Sequence, residues 1–148
     1  QLLLISSPGF TAFALDADGY LTATISTGFS SWITGSFANG TVDPLKQGPN
    51  DDADNDGVAN LIEYAIDGED PTVPNPLNAF SASALSFTKR GGTSGLTYAI
   101  LESTDLGNAD DWTEVSGGLY VNDPTTISYT LTPGTPPNNF IRLEVRQN

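Results

Sequence analysis

The sequence predicts a mainly β chain, an antiparallel β-sandwich with a small helix–loop–helix insert. Three observations predict it. Short runs of alternating apolar and polar residues recur from Ala84 onward, and this period of two puts every second side chain on one face. Fifteen Gly and ten Pro supply the turns that many short strands need. Helical spacing is confined to two brief stretches on either side of an acidic loop.

In chain order, Leu2-Leu3-Leu4-Ile5 is an apolar run of strand length, closed by Ser6-Ser7-Pro8-Gly9. Phe10–Leu15 and Tyr20–Ser26 read as hairpin arms joined by Asp16-Ala17-Asp18-Gly19. In the second arm Leu21, Ala23 and Ile25 alternate with Tyr20, Thr22 and Thr24. Phe29, Trp32, Ile33 and Phe37 fall at i, i+3, i+4 and i+8, the stripe of a short helix that Ser30 or Ser31 would cap. A polar connection with Pro44 and Pro49 follows, over residues 38–56. Asn60–Asp67 reads as a second helix, with Gly68 placed to end it in the left-handed conformation. Pro71, Pro74 and Pro76 make a stiff linker.

Beyond the linker, Leu85–Lys89 and Leu96–Glu102 read as a hairpin across Arg90–Gly95. Trp112–Ser116, Leu119–Asn122, Thr125–Thr132 and Phe140–Arg146 are further strands. In the last, Ile141, Leu143 and Val145 face one side, and Arg142, Glu144 and Arg146 the other. Strands so short and evenly spaced suit an immunoglobulin/fibronectin-III-like or jelly-roll-like sandwich. The expected organisation is an N-terminal strand and hairpin (1–28), a helix–loop–helix segment with the Pro-rich linker (29–76) and the C-terminal sandwich (77–148).

Composition narrows the chemistry. Five Lys and Arg stand against 18 Asp and Glu, a net charge of −13. Nucleic-acid backbones and anionic membranes are repelled by such a chain. With no His and no Cys, Ser-His and Cys-His nucleophiles, thiolate chemistry, disulfides and the usual zinc, copper and haem sites are excluded. Charged residues are 16% of the chain, below the ~25% of ordinary domains. Thr, Ser and Asn therefore carry the polar surface, as in an extracellular module. No apolar run is long enough to span a membrane. Gln1 stands at the start without Met or a signal peptide, the reading of a processed or excised chain. Asn39-Gly40-Thr41 is a glycosylation sequon.

What remains is oxygen chemistry, and residues 52–63 (DADNDGVANLIE) concentrate it. Numbered from one, the segment has oxygen-bearing side chains at positions 1 (Asp52), 3 (Asp54), 5 (Asp56), 9 (Asn60) and 12 (Glu63). Gly57 is at position 6, and Val58 at position 7 offers its carbonyl. This is the spacing of an EF-hand-type calcium loop, because Ca²⁺ takes six to eight oxygens at ~2.3–2.6 Å and a tight loop can aim alternate residues inward. Gly57 permits the sharp turn, and Glu63, on the following helix, is set for two-oxygen coordination. Four carboxylates, −4 in all, face the ion's +2, and nine of the 18 acidic residues lie between Asp43 and Asp70. The insert thus reads as a helix–calcium loop–helix, with Ca²⁺ its expected cofactor.

The segment resembles the DxDxDGxxN loops of thrombospondin type 3 repeats and dockerins. It is still more similar to the DxDGDGxxNLxEY element of secreted multidomain bacterial proteins, here Asp54–Asp56, Gly57, Asn60-Leu61 and Glu63-Tyr64. In those proteins an aromatic helix like Phe29–Phe37 tends to precede the loop. A β module with STDL…W often follows, here Ser103-Thr104-Asp105-Leu106 and Trp112. The resemblance spans about residues 29–115 and implies a bacterial extracellular or cell-surface protein. Two features depart from a true EF-hand: residues 38–51 separate the first helix from the loop, and Ala59 stands at position 8 in place of a β-branched residue. A lone, permanently filled structural site fits these better than a paired, opening sensor.

Other groupings have two readings each. Asp16-Ala17-Asp18-Gly19 is a hairpin turn or a second, partial calcium site. Asp110-Asp111-Trp112 suggests sugar chemistry, but adjacent residues do not face each other across the ~5 Å that a retaining glycosidase needs, and Trp112 reads equally as core. Tyr20, Tyr98, Tyr120 and Tyr129 are half-buried packing or sugar-stacking platforms. Leu2–Ile5 pairs with this chain's own sheet or is donated to a neighbouring copy. The expectation is a non-enzymatic, calcium-stabilised structural protein, a surface or filament subunit that self-associates by strand addition or packs on neighbouring domains. The alternative is a carbohydrate-binding or adhesion module of a larger secreted protein.

Overall fold

The protein is described here from a computed structural model over residues 10–15, 21–25, 28–77, 84–130 and 140–148. Leu2–Ile5, the Asp16–Gly19 turn and Tyr20 lie outside the described residues. The chain is mainly β and antiparallel. Strands β1 (Phe10–Leu15) and β2 (Leu21–Ile25) pair as a hairpin, with a register shift between Phe10 and Ala12. Helices α1 (Phe29–Ile33) and α2 (Asn60–Ala65) follow, with a 3₁₀ turn at Pro44–Lys46 between them. Then come β3 (Ala84–Thr88), β4 (Leu96–Ser103), β5 (Thr113–Glu114), β6 (Tyr120–Asn122), β7 (Thr126–Thr130) and β8 (Phe140–Gln147). They form two three-stranded sheets, in the orders β3-β7-β6 and β5-β4-β8. No helix among the described residues is long and apolar enough to cross a membrane.

The expected hairpin across Arg90–Gly95 does not form: β3 pairs with β7, and β4 with β8 and β5. The chain crosses between sheets because the start of this turn is held elsewhere. Lys89 N–H donates to the Thr125 carbonyl at 2.8 Å, and Arg90 N–H to the Ala65 carbonyl at 2.9 Å. In β8 the predicted alternation holds, with Val145 buried, Ile141 and Leu143 half-buried against the core, and Glu144 paired with Arg146 on the outer face.

Both helices are shorter than their apolar stripes suggest. The first starts from Gly28 with no side-chain cap, so Ser30 and Ser31 lie inside it. Phe29 has to be in the first turn for Phe29 and Ile33 to be buried together. Beyond Ile33 the chain turns, and Phe37 forms a β-bridge with Gly40. The second helix stops at Ala65 because Ile66 is extended (φ −101°, ψ 136°) and bridges Lys89. Gly68, at φ +87°, therefore serves the turn after this bridge and does not cap the helix.

One core joins these parts. From the helical segment come Phe29, Ile33, Val42, Leu61, Tyr64, Ala65 and Ile66; from the sheets come Leu85, Phe87, Tyr98, Ile100, Val115, Ile127 and Val145. Each fully buried apolar side chain of this size contributes about 1.5–3 kcal/mol. The Phe29 and Tyr64 rings meet edge-on at 5.8 Å, and the Trp32 and Phe37 rings at 5.1 Å. The first helix thus packs on the second through aromatic contacts, and this packing sets where the acidic loop lies.

Candidate metal centre

The loop is shaped by its own carboxylates. Asp52 Oδ1 accepts the N–H of Asn55 at 2.7 Å and of Asp56 at 3.2 Å, while its Oδ2 accepts that of Gly57 at 2.9 Å. Asp54 Oδ1 accepts the Asp56 N–H, and Asp56 Oδ1 accepts the Val58 N–H at 2.8 Å. These bonds wind the chain so that alternate side chains turn inward. Asn55 (φ 65°) and Gly57 (φ 92°) take the left-handed backbone that the tight winding requires. As a result Asp52, Asp54 and Asp56 each bring a carboxylate oxygen within 4.8 Å of the others.

Glu63 comes from α2 and is 0% exposed. Both its oxygens are buried without a hydrogen-bond partner, as is Asp54 Oδ2. Burial, followed by the charges of Asp54, Asp56, Glu69 and Asp52, pushes the Glu63 carboxyl up to about 8. Burial and Asp56 raise Asp54 too. Among the described residues none of the four carboxylates forms an ion pair. Lys46 approaches the loop but donates to the Ala53 carbonyl and to Asn55 Oδ1.

Asn60 is also fully buried, and its amide is committed to the backbone. Its Nδ2 donates to the Lys46 and Gly48 carbonyls at 2.8 and 2.9 Å, and its Oδ1 accepts the Ala53 N–H at 3.3 Å. Asn60 and Leu61 N–H donate to the Asp51 and Pro49 carbonyls. Residues 44–51, which occupy the place of an incoming helix, are thereby tied to the start of α2. Val58 has its side chain buried and its N–H on Asp56.

Three residues that matter here were missed by the sequence reading. Arg90 Nε and Nη2 donate to the carbonyls of Tyr64, Glu63, Ile66 and Glu69 at 2.9, 3.2, 3.1 and 2.7 Å, and its guanidinium lies 5.4 Å from the Trp32 ring centre. It caps the open carbonyls of α2 and holds Glu63's backbone. Asn75 N–H donates to Asp56 Oδ2 at 2.8 Å, and Asn75 Nδ2 donates to Glu69. A lone Arg, Glu or Asn more than a helical turn from the loop has no spacing signature.

Taken together, the buried orphan atoms among the described residues are all oxygens: Asp54 Oδ2, Glu63 Oε1 and Oε2, and Asn75 Oδ1. The group of carboxylate oxygens within 4.8 Å of one another is that of Asp52, Asp54 and Asp56 and does not include Glu63; acceptors without donors beside such a group suit a hard, oxygen-preferring cation.

The Asp110 neighbourhood is different in kind. Asp110 accepts from the Ser103 hydroxyl at 2.6 Å and from Thr104 N–H and hydroxyl at 2.8 and 2.9 Å. Asp105 accepts the N–H groups of Asn108 and Ala109. Asp105 and the Ser103 and Thr104 donors hold the Asp110 carboxyl well below the usual range. The STDL stretch is thus a self-bonded turn. The half-buried Trp112 ring lies 4.4 Å from the Arg142 guanidinium. Gly107, at φ +75°, packs so close to Trp112 that a Cβ would lie 2.5 Å from its Nε1. Comparison with protein-family models, with curated proteins and with solved structures gives no match to this chain.

Proposed function

We propose that the chain is a calcium-stabilised, non-enzymatic structural module of an extracellular or cell-surface protein. Its two sheets form a sandwich, and residues 29–76 form a helix–calcium loop–helix insert. Asp52, Asp54, Asp56 and Glu63 are the side-chain ligands and Val58 a carbonyl ligand. Asn60, at position 9 of the loop, has its amide committed to the backbone, and its part in the site is to hold the loop ends together. The single observation that carries this reading is Glu63, a fully buried carboxyl group with both oxygens unpaired, whose ionisation is opposed by the charges of three clustered aspartates. Ionising that carboxyl without a partner is costly enough to keep it protonated up to about 8, and a divalent cation removes that cost.

Ligand at a hundred times its Kd adds about 2.7 kcal/mol of stability, which for a chain of this size raises Tm by roughly 5–10 °C. Millimolar Ca²⁺ is expected to raise the thermal midpoint by that amount over EDTA. Asp54→Ala is expected to melt near the EDTA value in either buffer. Equal midpoints for the parent protein with and without Ca²⁺ would refute the reading.

A second reading, self-assembly, is favoured by an apolar groove of about 390 Å³ whose lining includes Ile62, Leu77, Leu85, Phe87, Ile141 and Leu143. It lies between β3 and β8, the end strands of their sheets among the described residues. Its occupant in this reading is Leu2–Ile5 of a second copy, whose apolar side chains match the groove and whose backbone extends a sheet edge.

A further inference from the structure

We propose that Asn75, from the Pro-rich segment beyond the twelve-residue loop, supplies a further oxygen ligand to the same cation, and that Glu69 is the positioning residue that aims it. This rests on the metal reading above and extends the site past the loop itself. Asn75 is brought to the loop by its own backbone, whose N–H donates to Asp56 Oδ2 at 2.8 Å. Its side-chain amide is oriented by an ionised Glu69. Nδ2 donates to the Glu69 carboxylate, and a flipped amide would set oxygen against that carboxylate. With Nδ2 committed, Oδ1 is turned the other way, and there it is buried and without a partner.

Glu69 is held in turn, because its carbonyl accepts from Arg90 Nη2 at 2.7 Å. The orphan oxygens therefore come from three separate segments: Asp54 in the loop, Glu63 in α2, and Asn75 in the linker. A protein donor for each would have to come from three directions, whereas one cation held between them would serve all three, and Ca²⁺ readily takes more oxygens than the loop side chains offer. Since Asn75 precedes β3 by only nine residues, binding would fasten the linker to the loop just before the chain enters the sheets.

The test uses the full chain with Ca²⁺ by calorimetry, and with Tb³⁺ by luminescence lifetimes in H₂O and D₂O, which count the waters on the ion. Asn75→Ala is expected to weaken Ca²⁺ binding roughly ten- to a hundredfold and to add one water to bound Tb³⁺. Asn75→Asp, which keeps an oxygen at that place, is expected to retain the parent water count. Glu69→Ala should weaken binding as Asn75→Ala does and add the same water, and the double variant should be no weaker than Asn75→Ala alone. A merely structural role for either residue would lower stability without changing the water count. If the parent chain binds neither ion, the metal reading itself falls. If the parent binds and Asn75→Ala matches it in affinity and water count, this inference alone is overturned.

Discussion

At the scale of single residues, Glu63 decides how the site behaves with pH. Its carboxyl is ordinary in the unfolded chain, near 4.5, and is pushed up to about 8 in the folded, calcium-free chain. Between these values the folded state holds a proton that the unfolded state has released, so calcium-free stability falls as pH rises from 4.5 to 8 and returns on acidification. Calcium needs the carboxylate, so its affinity rises with pH over the same window. Urea unfolding in EDTA at pH 5 and pH 8 is expected to show the lower midpoint at pH 8. Glu63→Gln should flatten that dependence and abolish the calcium response. A calcium-free midpoint that climbs from pH 5 to pH 8 would contradict this account. The proposed ligand residues stand out in the sequence because a coordination loop demands fixed spacing. The burial of Glu63 was not, because it depends on Tyr64, Trp32 and Phe29 packing around the helix that carries it.

Among the elements, α2 is the one that needs outside help. With six residues it is too short to be stable by itself, and its last carbonyls have no partner within the helix. Arg90, Tyr98 and the start of the loop supply what is missing: Tyr98 donates its hydroxyl to the Ala65 carbonyl at 3.1 Å, while Arg90 bonds four carbonyls. Arg90→Ala is expected to cost about 2–4 kcal/mol in chemical denaturation, since it leaves several part-buried carbonyls without donors. Arg90→Lys should recover little, because an ammonium cannot reproduce the planar fork. A loss below about 0.5 kcal/mol would show that water satisfies those carbonyls. The same Arg explains why the predicted Arg90–Gly95 hairpin fails. Turn residues such as Gly91, Gly92 and Gly95 allow a reversal, but they do not choose the strand that pairs next.

On the scale of the whole molecule, the helical segment and both sheets share one apolar interior. A boundary at the Pro-rich linker is a feature of composition, whereas the packing runs across it, from Leu61 and Tyr64 to Leu85 and Tyr98. The self-assembly reading belongs at this scale as well. Removing residues 1–6 is expected to leave a folded, calcium-responsive monomer that no longer polymerises under conditions where the parent chain does, as seen by negative-stain imaging. Polymers that persist unchanged after the deletion would discard strand donation and leave the metal site untouched.

The sequence by itself determined the strand-rich class, the pairing of Phe10–Leu15 with an arm expected over Tyr20–Ser26 and described over Leu21–Ile25, the alternation of β8 and the acidic spacing from Asp52 to Glu63. Each is written in local spacing, which periodicity and coordination geometry read directly. Only the tertiary structure decided that β3 and β4 enter different sheets, that Ser30 and Ser31 do not cap α1, that Asn60 clamps the loop ends, and that Arg90, Glu69 and Asn75 converge on the loop. These depend on which distant backbone groups are left needing partners once the chain has packed, and no local pattern in the sequence records that need.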